Sequence, residues 1–340
     1  MKLTLLAYLE PDSLEPDTVV PQVRDALERR GHETTTVTTQ RDVRQLADDI
    51  TQSQPDLVFN LVESFADDMI GGLIGVAGVL DLLQVPYTGG GPGELYLQED
   101  KALTKKLLAF EQIQCPDFAA FTPNADFETG GNLKMPLFVK PLRMEASQGI
   151  DARSLVRNTQ ELMERVLQIH KTLGDAALAE EYIDGREFYV GVLGNQEAIA
   201  FPPIEMDFSG LPEGSPKILD SKAKWDESSV QYEGTKSVLP DLPSELTAKL
   251  QRVALDACRA LRVRDYGRVD LRVTDAGEIF VIEVNANCYL DQKSEFAMAA
   301  DAQGIGYDDL VNQIADLAMA RREGSSARRR RTPAGTGTRA

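Results

Sequence analysis

Leu3–Leu9, Glu33–Thr38 and Asp56–Leu61 read as strands, and segments of helical period at Val19–Arg30 and about Asp42–Ser53 lie between them. Strand, helix, strand, helix, strand, with a turn at Gly31, predicts an α/β fold around a parallel sheet. DMIGGLIGVAGVLDLLQ, Asp68–Gln84, is apolar on all sides and predicts a buried helix. Beyond a glycine run at Gly89, Gly90, Gly91 and Gly93, a helix starts near Glu99 and carries DKALTKKLLAFEQI. A second α+β unit follows: strand Pro136–Pro141, a small-residue loop Arg143–Asp151, helix Asn158–His170 and strand Ala177–Tyr182. Strands are expected at 186–194 and 197–206. The polar stretch Asp207–Ser237 reads as a long functional loop, and helix Ser244–Leu261 leads into a last pair of alternating runs.

That pair, RVDLRVTDAGEIFVIEVNANCYL (Arg268–Leu290), carries charge inside apolar strands. Val269, Leu271 and Val273 alternate with Arg268, Asp270 and Arg272, while Ile282 and Val284 alternate with Val281, Glu283 and Asn285. With Ala276-Gly277 as a two-residue tip, counting back sets Asp270 opposite Glu283 and Arg268 opposite Asn285, all on one face. Opposed carboxylates repel each other. Either the acids pair with Arg268 on an ordinary solvent-facing hairpin, or a cation lies between them. Aspartate, glutamate and an asparagine carbonyl are oxygen ligands of the kind Mg²⁺ takes, with positions left for water and nucleotide phosphates. Spacing alone leaves both readings open.

Composition narrows the choice. The 340 residues are 42% hydrophobic, enough for two or three domains with their own cores. The net charge is −18, and the last twenty residues hold seven arginines against Glu323, which leaves the first 320 at −24. An acidic body disfavours nucleic-acid binding. No apolar run is long enough to span a membrane, and the N-terminus lacks the pattern of a signal peptide. Three cysteines, Cys115, Cys258 and Cys288, form neither a CxxC nor an even set, which points to a reducing, cytoplasmic setting. With only His32 and His170, both read as structural, a histidine-dependent hydrolase or a histidine-rich zinc site is disfavoured. The basic tail reads as disordered, either an arm for an anionic partner or a dispensable solvated end.

Lys140 ends the apolar strand LFV and is held on a rigid element, as suits a phosphate contact. Ala146, Ser147 and Gly149, in RMEASQGI, would let backbone N–H groups approach a phosphate. AEEYIDGREF offers Glu180 and Glu181 at a strand end, then Tyr182, Ile183 and Glu187. This is either a site for an adenine edge and ribose hydroxyls or an exposed, charged turn. The glycine run has neither a GxxxxGK[ST] continuation nor a strand-GxGxxG-helix context, so it reads as a tight connecting turn.

PYTGGGPGELYLQEDKALTKKLL, PLFVKPLRMEASQGI, ALAEEYIDGREFYVGVLG and GRVDLRVTDAGEIFVIEVNAN occur in the order and approximate spacing of the ATP-grasp ligases, and they resemble the D-alanine–D-alanine ligase branch over roughly residues 55–300. The resemblance implies a three-domain ATP-grasp fold with α/β and α+β parts. These would be an N-terminal domain at 1–95, a small central one at 96–178 and a C-terminal one at 179–320, with ATP between the last two and a disordered tail at 321–340. It also implies ATP-dependent carboxylate–amine ligation through an acyl phosphate. Lys101 and Lys140 match ATP-contacting lysines, Glu180, Glu181, Tyr182 and Ile183 the adenine hinge, and Glu187 the ribose-binding acid. Lys224 matches a lysine near the phosphates. Asp270, Glu283 and Asn285 match the ligands of two Mg²⁺ ions, for which Mn²⁺ would substitute, and Arg268 the arginine at the transferred phosphoryl group. Related ligases are commonly homodimers.

The pattern departs where amino-acid substrates sit in that branch. Its phosphate-loop serine is Ala146 here, with Ser147 beside it, and its loop tyrosine is Trp225. Its N-terminal glutamate is matched by Glu10 or Glu15. NLVESFADD, around Glu63, replaces a histidine-glycine element, and Ala286-Asn287-Cys288-Tyr289-Leu290 stands where proline and glycine are expected. Asn287, Tyr289, Lys293 and Ser294 become candidates for the acceptor side, or are loop residues without a ligand. The expected function is therefore the same chemistry on a different acid or amine. Genuine D-alanine–D-alanine ligation and a non-catalytic ATP-binding regulator or scaffold are the alternatives.

Overall fold

The computed structural model describes residues 1–340 apart from 11–12, 67–68, 125–126, 131, 145–146, 220–228 and 332–340. Three sheets carry the described chain. The first is parallel, in the order β2-β1-β3, from β1 (Lys2–Tyr8), β2 (Glu33–Thr39) and β3 (Leu57–Leu61), with helices Val19–Arg29 and Val43–Ser53 as crossovers. One face of this sheet is completed by the far end of the chain. Leu3, Leu5 and Phe59 share a core with Val23 and Leu27 of the first helix and with Phe296, Leu310, Val311 and Ile314. Those last residues lie on helices Glu295–Ala302 and Tyr307–Arg331.

The second sheet is antiparallel, in the order β5-β4-β8-β6-β7, from β4 (Phe118–Phe121), β5 (Phe127–Gly130), β6 (Leu137–Pro141), β7 (Leu155–Val156) and β8 (Ala177–Glu181). Ala177 and Ala179 of β8 and Leu137 and Val139 of β6 pack on helix Thr159–Leu173. The other face, with Leu178, meets Ala102 of helix Lys101–Phe110. Asp100 caps that helix by accepting from Leu103 N, so the helix expected from near Glu99 is present, and a further one, Pro92–Glu99, precedes it.

The third sheet is antiparallel, in the order β12-β11-β9-β13-β14: β9 (Arg186–Leu193), β11 (Ile204–Asp207), β12 (Lys236–Val238), β13 (Tyr266–Val273) and β14 (Ile279–Ala286), with β10 (Ile199–Ala200) paired to β9. Val269, Leu271, Val273, Val281 and Val284 bury against Leu250, Ala254 and Ala257 of helix Ser244–Ala260. The alternation therefore hides one face of the hairpin and leaves Arg268, Asp270, Glu283 and Asn285 on the other.

Four expectations change. The strand expected at 197–206 is broken, because Pro202 and Pro203 supply no N–H to a ladder. The stretch 207–237 contains a short helix, Val230–Glu233, and β12. Residues 321–331 continue a helix rather than beginning a tail, and Arg321 is bonded to Asp265 and to Tyr87 O. Strand β8 runs through position 178, where a domain boundary was expected, and the passage between sheets falls in the turn between β8 and β9.

The hairpin tip is also different. Thr274 N donates to Glu278 O, and Gly277 stands at φ +81°, so three residues rather than two form the loop. A bulge then skips Ile282: Leu271 pairs with Val281 while Asp270 pairs with Glu283. The two single-residue differences cancel, and Asp270–Glu283 and Arg268–Asn285 are opposed as expected.

Candidate active site

The polar face of the third sheet is a connected set of charges. Arg268 donates from Nε to Asp270 Oδ1 at 2.7 Å and from Nη2 to Oδ2 at 3.0 Å, and Asn285 Nδ2 donates to Asp270 Oδ2 at 3.2 Å. Arg268 Nη1 also reaches Glu295 Oε2 at 3.4 Å, and Ser237 Oγ donates to Glu295 Oε1. The Arg268 guanidinium lies 4.9 Å over the ring of Tyr189, which faces Asp270 across the ladder. The Asp270 carboxyl is pushed up to about 6 on balance: burial raises it most, Arg268 pulls it down, and Glu283 and Glu187 raise it further. A divalent cation would relieve that opposition. Among the described residues no three His, Cys, Asp or Glu side chains gather to hold a metal by themselves. Two carboxylates and an amide are a donor set that fits Mg²⁺ sharing its shell with water and phosphates.

Facing this sheet, Lys101 Nζ lies 3.3 Å from Glu283 Oε1 and donates to Met144 O at 2.9 Å. Lys140 does not stand alone at its strand end. Its Nζ is 2.8 Å from Glu180 Oε1, and Lys105 Nζ is 2.7 Å from Oε2 as an ion pair without hydrogen-bond alignment. Burial would raise the Glu180 carboxyl, but the two ammonium groups outweigh it and hold it below the usual carboxylate range. The Glu180 side chain, expected at the adenine hinge, therefore fixes two lysines. Lys105 went unread, although it lies one helical turn beyond Lys101 and so on the same helix face.

The remaining hinge residues divide. Glu181 Oε1 accepts from Lys134 N, Tyr182 N donates to Pro136 O, and buried Ile183 offers its carbonyl to Arg272. Glu187, expected to take ribose hydroxyls, accepts from Arg272 and from Tyr189 Oη at 2.7 Å. The Tyr189 phenol, buried beside Glu187, is pushed well above its ordinary range and stays a donor. In the loop 143–151, Ser147 stands at φ 59° and donates to Leu219 O at 2.9 Å. Gly149 is at φ +71°, and a Cβ there would meet Leu173 and Pro141 at 2.7 and 2.8 Å, so close packing requires glycine. Lys224, Trp225 and Ala146 lie outside the described residues.

The acceptor-side candidates have structural duties. Asn287, at φ 54°, accepts from Gly90 N at 2.8 Å, and a Cβ on Gly89 would lie 2.0 Å from its Oδ1. Gly89 N donates to Asp265 and Gly91 N to Glu94, so the glycine run is a pinned turn and not a phosphate cradle. Ser294 caps helix Glu295–Ala302 by accepting from Ala297 N, and Tyr289 donates to Asp17 at 2.8 Å. Lys293 N donates to Asp291 Oδ1. Glu10, Glu15 and Glu63 are exposed. Of the two histidines, His32 lies between the N-terminal amine and Asn312, and His170 bonds Phe121 O. No described helix is long and apolar enough to cross a membrane.

The family model described as D-ala D-ala ligase C-terminus matches residues 107–316. An uncharacterized protein of Sinorhizobium fredii is 33% identical over 265 residues, covering 78% of this chain and 75% of that protein. The D-alanine–D-alanine ligase of Desulforudis audaxviator is 31% identical over 301 residues, 87% of this chain and 91% of its own. A crystal structure of D-alanine–D-alanine ligase from Bacillus anthracis covers 96% of this chain and 99% of its own, with TM-score 0.76 and 22% identity. A second, complexed with ATP, gives TM-score 0.72 and 21% identity. With the family model matching more than half its length and a relative 31% identical over most of both chains, the chain belongs to the D-alanine–D-alanine ligase family of ATP-grasp enzymes, a family of ATP-dependent C–N ligases.

Proposed function

We propose that this chain joins a carboxylate to an amine with hydrolysis of ATP to ADP and phosphate, and that its substrates are not two D-alanines. The observation that carries the reading is the single face bearing Arg268, Asp270, Glu283 and Asn285, with Lys101 reaching across to Glu283. A carboxylate is a poor acyl donor. Its oxygen attacks the γ-phosphorus of ATP, ADP leaves, and the acyl phosphate is then attacked by the amine nitrogen, which loses a proton as phosphate departs. Asp270, Glu283 and Asn285 would hold Mg²⁺, as two ions with Mn²⁺ able to substitute, and the metal supplies charge neutralisation at the phosphates. Lys101 and Lys140 add positive charge beside them, and Arg268 steadies the oxyanion that forms on amine attack. Ser147, Gly149, Glu180, Glu181, Tyr182, Ile183 and Glu187 surround the nucleotide, and Lys224 joins from the long loop.

The choice of other substrates rests on the sequence departures and on the structural duties of Asn287 and Ser294, which support a rebuilt acceptor side. The test is ADP release with Mg²⁺ against panels of amino acids, other carboxylates and amines, with mass spectrometry of the product. An amide from anything but two D-alanines supports the proposal. A D-alanine dipeptide alone establishes the D-alanine–D-alanine reading, and ATP binding with no ADP release in the presence of any panel member revives the scaffold.

A further inference from the structure

Arg272 lies on β13 two residues beyond Asp270, on the same face. It is 7% exposed, although guanidinium groups are seldom buried without full pairing. Its fork is filled from the nucleotide side of the site. Nε and Nη2 donate to Glu187 Oε2 at 3.1 and 2.6 Å, and Nη1 donates to Ile183 O at 3.0 Å. Nη2 also donates to Lys217 O, and the guanidinium lies 5.3 Å over the Tyr182 ring. The ladder dictates the pairing, because Arg272 is directly opposite Glu187 on β9. One side chain therefore joins the turn between two sheets, an acid on β9 and the segment after β11.

A buried ion pair is weak evidence for a stabilising role, since an apolar pair of similar size often serves as well. The state of Glu187 argues for more. Oε2 accepts twice from Arg272 and Oε1 once from Tyr189. A carboxylate offers about four lone-pair positions, so the described partners leave one acceptor position on a group locked in orientation. A sugar hydroxyl donating there would meet an acceptor that loses little freedom on binding. We infer that Arg272 is a positioning residue of the nucleotide site, holding the Glu187 carboxylate in the one orientation that receives the ribose of ATP. The inference rests on the ATP reading of this site.

The test is calorimetric titration of the full chain with ATP, 2′,3′-dideoxy-ATP and inorganic tripolyphosphate, each with Mg²⁺, for wild type, Arg272→Met and Arg272→Lys. Wild type should bind ATP about tenfold more tightly than the dideoxy nucleotide, the weight of a hydrogen bond to a charged group. In Arg272→Met that ratio should fall towards one while tripolyphosphate binding stays within about twofold of wild type. Arg272→Lys keeps the charge but not the fork, so it should lose most of the ratio as well, and it carries the test if the methionine variant does not fold. An unchanged ratio in either variant, or equal losses for ATP and tripolyphosphate, overturns the inference. Wild type that binds ATP without preferring its hydroxyls also overturns it, whereas wild type that binds no ATP overturns the ATP reading itself.

Discussion

The face of β13 and β14 and the loop from Asn287 to Ser294 are continuous in sequence, yet they use polar side chains in opposite ways. On the strands, Arg268, Asp270, Glu283 and Asn285 have their backbones satisfied by the ladder, and their side chains answer one another or Lys101. In the loop no ladder exists, and Asn287 and Ser294 bond backbone N–H groups at Gly90 and Ala297. Backbone groups in irregular segments must find partners, and the loop's polar residues provide them. A polar residue is a better candidate for ligand chemistry where regular structure has already satisfied the backbone around it.

The comparison can be broken first at the strands. Glu283→Gln should lower Mg²⁺-dependent ADP release by at least about a hundredfold, because it weakens a metal ligand; wild-type turnover would remove Glu283 from the site. Next in size is Glu180→Gln, which leaves Lys105 and Lys140 buried without their anion. Loss of one partner of such a set costs roughly 3–5 kcal/mol, read from urea unfolding at neutral pH. Because the folded Glu180 carboxyl is held below its ordinary value, its stabilisation is fully present above that value. The gap between wild type and variant should therefore close as the pH falls through and below the usual carboxylate range, and a gap that is constant with pH would contradict the ion-pair account.

On the loop the effects should be smaller and of another kind. Asn287→Ala should destabilise by about 1–2 kcal/mol through the lost bond to Gly90, with the KM for the acceptor unchanged. Ser294→Ala should cost about 1 kcal/mol as a lost helix cap, again without a change in KM. A raised acceptor KM with unchanged stability in either variant would return that residue to the substrate site.

Much of the charged face was legible because strand alternation is a local signal. The opposition of Asp270 and Glu283 followed from counting, although a longer tip and a bulge, invisible to alternation, had to cancel. Arg272 sat in the same alternating set and went unread, since its partner Glu187 lies on a strand far away in sequence. Lys105 was open to detection from the helix face it shares with Lys101, but its partner Glu180, and the Arg268 that lies over the Tyr189 ring, are distant in sequence. β4 went unread because FAAF is too short to show a period. The helix through Arg331 was masked by a composition that reads as solvated tail, whereas the bond from Arg321 to Asp265 depends on tertiary packing.

The central claim is that the hairpin face takes ATP together with a divalent cation, and calorimetric titration with ATP in Mg²⁺ and then in excess chelator tests it most directly. Tight binding with Mg²⁺ that falls by more than about tenfold in chelator is the expected result. Equal affinity under the two conditions would contradict the assignment of Asp270, Glu283 and Asn285 as the metal platform.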